Sequence, residues 1–172
     1  FVGTTVALCS MQLFQTADAG RNRARLEHSI RRDIARHTAG RGDVTRAWLS
    51  RMLDRIGLLA PRLQGRSSAV HELRALFADV RAAHASSQLR TLDKYLDNPH
   101  VRALHAALVE RVAAHFRVRA HAPRSVDAHL LKLLDCMREA ATAIAAADRG
   151  YLLHLLSGLR RDLLVPPLTH RR

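Results

Sequence analysis

The stretch WLSRMLDRIGLLAPRL, residues 48–63, sets the reading of the whole chain. With Val44 just ahead, Trp48, Met52, Ile56, Leu59 and Leu63 recur at intervals of three or four residues. An α-helix completes a turn in 3.6 residues, so these side chains form one unbroken apolar stripe, the pattern of a helix laid against a core. Asp43 is placed to cap its start, because a carboxylate accepts from the unpaired backbone N–H groups of a first turn. Pro61 falls late in the pattern, where the helix kinks or ends. The other flank is charged. Arg51 and Asp54 stand at i, i+3 and Arg51 and Arg55 at i, i+4, so they are neighbours on one side of the helix. Solvated surface pairs would contribute only about 0–1 kcal/mol. The competing reading, which we favour, is a structural clamp that ties this helix to a neighbour through Trp48, Arg51, Asp54, Arg55 and Arg62.

The same periodicity extends in both directions. Upstream, Leu26, Ile30 and Ile34 belong to a first helix that runs from the N-terminal segment to about His37 and ends at Gly40 and Gly42. Downstream, residues 65–68 form a break with Ser68 as a candidate cap. A third helix carries Val70, Leu73, Phe77 and Val80, and Ser86-Ser87 interrupts it. A short helix follows with Leu89, Leu92, Tyr95 and Leu96. Asn98-Pro99 is a start signal, a cap followed by proline at the first helical position, and it leads into Val101, Leu104, Leu108 and Val112. Residues 117–124 read as a basic loop with Pro123. Ser125 then caps a longer helix with Val126, Leu130, Leu133, Met137 and Ile144. Gly150 separates that helix from a last one with Leu152, Leu155, Leu156, Leu159 and Leu163, which Pro166-Pro167 stops. No useful β alternation occurs. The short connections predict an all-α antiparallel bundle of about six to seven helices.

Composition narrows the function. A chain of 172 residues is long enough for one domain with a real core. Hydrophobic content of 48% excludes general disorder. Cys9 and Cys136 alone exclude a disulfide scaffold and a four-cysteine zinc site. Eleven histidines invite a metal, yet none falls in an HExxH arrangement or joins cysteine at zinc spacing. Asp33 and His37 share a helix face, but two ligands do not make a site. Cys136 sits mid-helix between apolar residues, which suits packing better than nucleophilic chemistry. No GxSxG and no glycine-rich phosphate loop occur. The expectation is no catalytic constellation, no metal and no cofactor.

Charge is the second signal. Lys and Arg number 28 against 15 Asp and Glu, a net of +13, and only Lys94 and Lys132 are lysines. Residues 21–66 hold 12 arginines against Glu27, Asp33, Asp43 and Asp54. The chain opens on Phe1 rather than Met and reads as a fragment. Its first 14 residues carry no charge and run into Arg21, Arg23, Arg25, Arg31 and Arg32. As a helix those residues span about 21 Å, short of the roughly 30 Å of a bilayer core. An apolar stretch entering dense arginine is how a membrane helix leaves on the cytoplasmic side. We read residues 1–20 as the end of a transmembrane helix and its exit, residues 21–167 as a cytoplasmic helical domain, and residues 168–172 as a basic tail. A buried helix of a soluble core is the competing reading of the first segment. The five arginines named would face anionic lipid. Nucleic acid is the alternative partner for so basic a chain. Arginine can neutralise phosphates, but no helix-turn-helix and no interleaved aromatics accompany the charge, so a soluble nucleic-acid-binding protein ranks second.

Two stretches also carry a resemblance. RRDIA at residues 31–35, followed by WLSRMLDRIGLLAPRL, resembles the cytoplasmic segment of the fusaric acid resistance protein family, through Trp48, Arg51, Met52, Asp54, Arg55, Leu58, Leu59, Pro61, Arg62 and Leu63. LLSGLRRDLLVPP at residues 155–167 is similar to that family's C-terminal helix. HELRALF keeps Leu73-Arg74 of a further family stretch and lacks its glycine. The resemblance implies a bacterial inner-membrane efflux transporter for aromatic or other organic acids, of which this would be the last cytoplasmic region. Its implied partners are the membrane domain of the same polypeptide and a periplasmic membrane-fusion adaptor, with room for homo-oligomers. The region's implied role is assembly or gating.

Overall fold

The computed structural model describes the backbone of residues 2–40, 45–63, 67–120, 127–144 and 146–164, and side chains from residue 20 onward within those ranges, except at 45, 146 and 147. Among the described residues the regular structure is all helical: α1 (Val2–Thr38), α2 (Thr45–Leu63), α3 (Ala69–Thr91), α4 (Pro99–Arg119), α5 (Ala128–Ala140) and α6 (Ala146–Leu163), with single 3-10 turns at Asp93–Tyr95 and Ala141–Ala143. α3 lies at the centre and packs against α1, α2, α4 and α6, while α5 closes the bundle against α4 and α6.

The stripes that define α1, α2, α4 and α6 are buried as their period requires. Ile30, Ile34, Trp48, Met52, Ile56, Leu59 and Leu63 join Val101, Leu108 and Val112 and five of the six leucines of α6 in one core. Each fully buried Leu or Ile contributes about 1.5–3 kcal/mol. Asn98 caps α4 as its sequence dictates, its Oδ1 accepting from the backbone N–H groups of His100 at 2.9 Å and Val101 at 3.3 Å. Pro61 does not stop α2 at once; the helix continues to Leu63. Pro61 and Gly57, whose carbonyl the proline ring leaves unpaired, both lie on the exposed face, where water can replace the lost bond.

Elsewhere packing overrides local signals. Ser86-Ser87 does not break α3. Both serines are buried within it, and Ser87 Oγ donates to the His84 carbonyl at 2.8 Å, so its polar group stays satisfied. The expected short helix after it is the one-turn Asp93–Tyr95. The buried face of α3 is Leu76, Val80, Ala83 and Ser87, whereas Val70 and Phe77 of the expected stripe are exposed. Gly150 is not a break either. It lies inside α6, and the chain turns earlier, at Ala141–Ala143. Ser68 occupies the N-cap position of α3 but makes no capping bond, its hydroxyl donating instead to Glu72 Oε1 at 2.6 Å. Asp127 caps α5 by accepting from Leu130 N at 3.1 Å. Ser125, Val126, Asp43, Val44, Gly42 and the Pro166-Pro167 stop lie outside the described residues.

The expected basic loop begins later than its composition suggests, because α4 runs through Arg119. Arg119 is buried, and its guanidinium donates to Asp79 of α3 at 2.8 Å while lying over the Phe116 ring. A buried ion pair gives little net stability, but removing one partner strands the other charge in the interior. Arg119→Met should therefore lower the unfolding free energy by about 3–5 kcal/mol, measured by urea denaturation, and adding Asp79→Leu should recover part of the loss.

Candidate functional site

α1 is one uninterrupted helix of 37 residues, about 55 Å long at 1.5 Å per residue. Its first part carries the uncharged stretch, and its last turns enter the core at Ile30 and Ile34. Among the described residues no helix is long and apolar enough to cross a membrane. How α1 is held at its C-terminal end decides what can pass along it. Ring and polar contacts converge on that end.

Four contacts fasten it. The His37 ring lies flat on the Trp48 indole, with centroids 3.8 Å apart and planes 4° from parallel. One α1 turn earlier, Asp33 pairs with Arg55 of α2. Asp33 and His37 are four residues apart on α1, about one turn, and Trp48 and Arg55 are seven apart on α2, about two turns, so two antiparallel helices meet at two levels. From α3, Arg90 reaches the exposed carbonyls of the last α1 turn, donating through Nη2 to the His37 oxygen at 2.7 Å and through Nη1 to the Thr38 oxygen. A helix C-terminus carries unpaired carbonyls and the negative end of the macrodipole, and a guanidinium satisfies both. Gly40 then turns the chain away with φ of +77°, a conformation that glycine adopts without the Cβ penalty.

The sequence-predicted clamp residues are divided between two faces. Trp48 is buried against His37, and Arg55 meets Asp33. Arg51, Asp54 and Arg62 sit on the exposed side of α2. The arginines of α1 divide as well. Arg23 is half-buried and pairs with Glu27 at 3.3 Å. Arg21, Arg25, Arg31 and Arg32 are exposed. Arg21, Arg25, His28, Arg32 and Arg36 recur every three or four residues, which gathers them into one exposed stripe opposite Ile30 and Ile34. That stripe is about 22 Å long. Local sequence carries no sign of Arg90's role, since its partners lie two helices away. His37 was legible only as a possible ligand beside Asp33. Its position on the core side of α1 was the signal that it packs.

Burial pushes the His37 pKa down from 6.5 to about 4, with the nearby Arg90 and His84 charges adding to the effect. The ring is neutral at pH 7, and its Nε2 is buried with no hydrogen-bond partner, like Trp48 Nε1. The contact is therefore an apolar stack, and protonation would place a cation beside Arg90.

The model of the fusaric acid resistance protein family matches residues 1–167 of this chain. No curated protein matches it, and neither does any solved structure.

Because the folded protein holds His37 neutral and the unfolded chain does not, the unfolded state binds one more proton between pH 6.5 and about 4. Stability should be unaffected by this group above pH 6.5 and fall by about 1.4 kcal/mol per pH unit below it. In His37→Phe, which keeps the stack, urea denaturation across that window should show a slope smaller by that amount.

Proposed function

Since this chain belongs to the fusaric acid resistance protein family, a family of membrane transport proteins, we propose that it is the cytoplasmic helical region of a bacterial inner-membrane exporter of aromatic or other organic acids. In this reading residues 1–20 are the end of a transmembrane helix and its exit, residues 21–167 the bundle, and residues 168–172 a basic tail. The bundle supports assembly or gating of the membrane domain of the same polypeptide.

The observation that carries the reading is the continuity of α1. One helix bears an uncharged stretch, then an exposed arginine stripe, then residues fixed in the core. Such a rod suits a mechanical link. A tilt or shift of its membrane end is delivered to the bundle through the His37–Trp48 stack, the Asp33–Arg55 pair and Arg90. The stripe suits the boundary, because basic residues beside an anionic leaflet are attracted by about 1 kcal/mol each. It also raises the local concentration of an organic anion approaching from the cytosol.

A proline in the helix interior removes a backbone bond and costs about 3 kcal/mol. Ala24→Pro should therefore uncouple the rod, so that export from everted vesicles falls several-fold while the amount of protein in the membrane fraction stays constant. Unchanged export would reject the linkage. Separately, the triple change Arg21→Gln, Arg25→Gln and Arg32→Gln should weaken apparent affinity for an anionic substrate at low salt. The difference should disappear near about 0.5 M salt, where charges are screened within a few ångströms.

A further inference from the structure

A groove of about 430 Å³ lies between α3 and α6 with Leu49 of α2 at one edge. Its volume is in the range of small-molecule sites, about 300–1,000 Å³. Its chemistry is of two kinds. Leu49, Ala85 and Leu155 supply apolar wall, and Arg81, Arg161, His84 and His154 supply polar groups.

The charge does not cancel. Asp162 is almost fully buried, and Arg81 forks onto it, with Nε 3.1 Å from Oδ2 and Nη2 2.7 Å from Oδ1. Arg161 approaches the same carboxylate at 3.6 Å and is 74% exposed. Among the described lining residues two guanidiniums stand against one carboxylate, a net charge of +1. The fork occupies two of the three Arg81 nitrogens, so Nη1 remains for another acceptor. His84 Nδ1 is buried with no hydrogen-bond partner, a costly state for a polar atom at the wall of an open cavity.

Gly158 also lines the groove. It sits in the interior of α6, where glycine costs about 1 kcal/mol relative to alanine. Its backbone needs no positive φ, and a Cβ built there meets nothing within 4 Å. Among the helical glycines whose burial is described, it is the one that is not exposed. Neither conformation nor close packing calls for it. Its missing side chain leaves open space at the groove wall.

We propose that this groove binds an organic monocarboxylate with a compact apolar body. The carboxylate sits against Arg161 and Arg81 Nη1, and the body rests on Leu49 and Leu155. A single negative charge matches the net +1, and the apolar wall selects against small hydrated anions. Binding by itself does not depend on the exporter reading. The groove's role, as a loading or sensing site for the exported acid, rests on it.

Photolabelling of the full-length protein with 4-azidobenzoate, read by mass spectrometry, tests the site. Label is expected on peptides spanning residues 81–88 and 151–161, competed by benzoate and not by benzyl alcohol. Gly158→Leu fills the space and Arg161→Ala removes the exposed cation; each should cut labelling at least about tenfold, the size of one lost charge-assisted bond. Neither change should lower the thermal midpoint, which separates loss of the site from loss of the fold. Label confined to other peptides, or undiminished in Gly158→Leu, would overturn the proposal. Groove labelling without benzoate transport in vesicles would support the site and count against the exporter reading. Transport with no groove labelling would do the reverse.

Discussion

Two flat rings set the geometry on which the rest depends. His37 and Trp48 are stacked almost in parallel at the point where α1 stops and α2 begins its return. A stack of this kind fixes both the distance and the rotation of two helices, because sliding or turning either one breaks ring overlap. Once it is fixed, Asp33, one turn back on α1, falls opposite Arg55, two turns on along α2. The last carbonyls of α1 then stand within reach of Arg90 on α3. The neutral state of His37 belongs to the same arrangement, since a charged imidazole would be desolvated beside a guanidinium.

Charge elsewhere in the bundle follows one main rule. Five carboxylates are met by arginine from another element: Asp33 by Arg55, Asp79 by Arg119, Asp127 by Arg111, Asp135 by Arg160 and Asp162 by Arg81, while Glu27 pairs within its own helix with Arg23. Arginine suits this use because its planar fork matches a carboxylate in two bonds. Most of these pairs are partly exposed, so they specify which helices meet more than they stabilise the meeting. The arginine excess is then left at the surface, and on α1 it is ordered into a stripe.

The joint and the groove are neighbours. Trp48 stacks on His37, and the next residue, Leu49, borders the groove. His84 lines the groove and is close enough to His37 to disfavour its protonation. A ligand in the groove and a shift of α1 would thus act on the same few side chains of α2 and α3. The joint and the groove draw on adjoining residues of α2 and α3.

Amino-acid order alone determined the helical class, the phase of the buried stripes on α1, α2, α4 and α6, the Asn98 cap and the split of charge toward the N-terminal end. These depend on a 3.6-residue period and on bonds within one turn, which are local. It also carried Trp48 and Arg55, though not the residues they would meet. Only the tertiary structure decided that α3 runs through Ser86-Ser87 and α6 through Gly150, because the burial on their inner faces outweighs a propensity cost of about 1 kcal/mol per residue. Arg90 on the α1 carbonyls, Arg119 in the interior and the open space beside Gly158 were likewise invisible. Each depends on how one helix is rotated against another far away in the chain, and that rotation is fixed by side-chain packing across the core rather than by anything a single segment encodes.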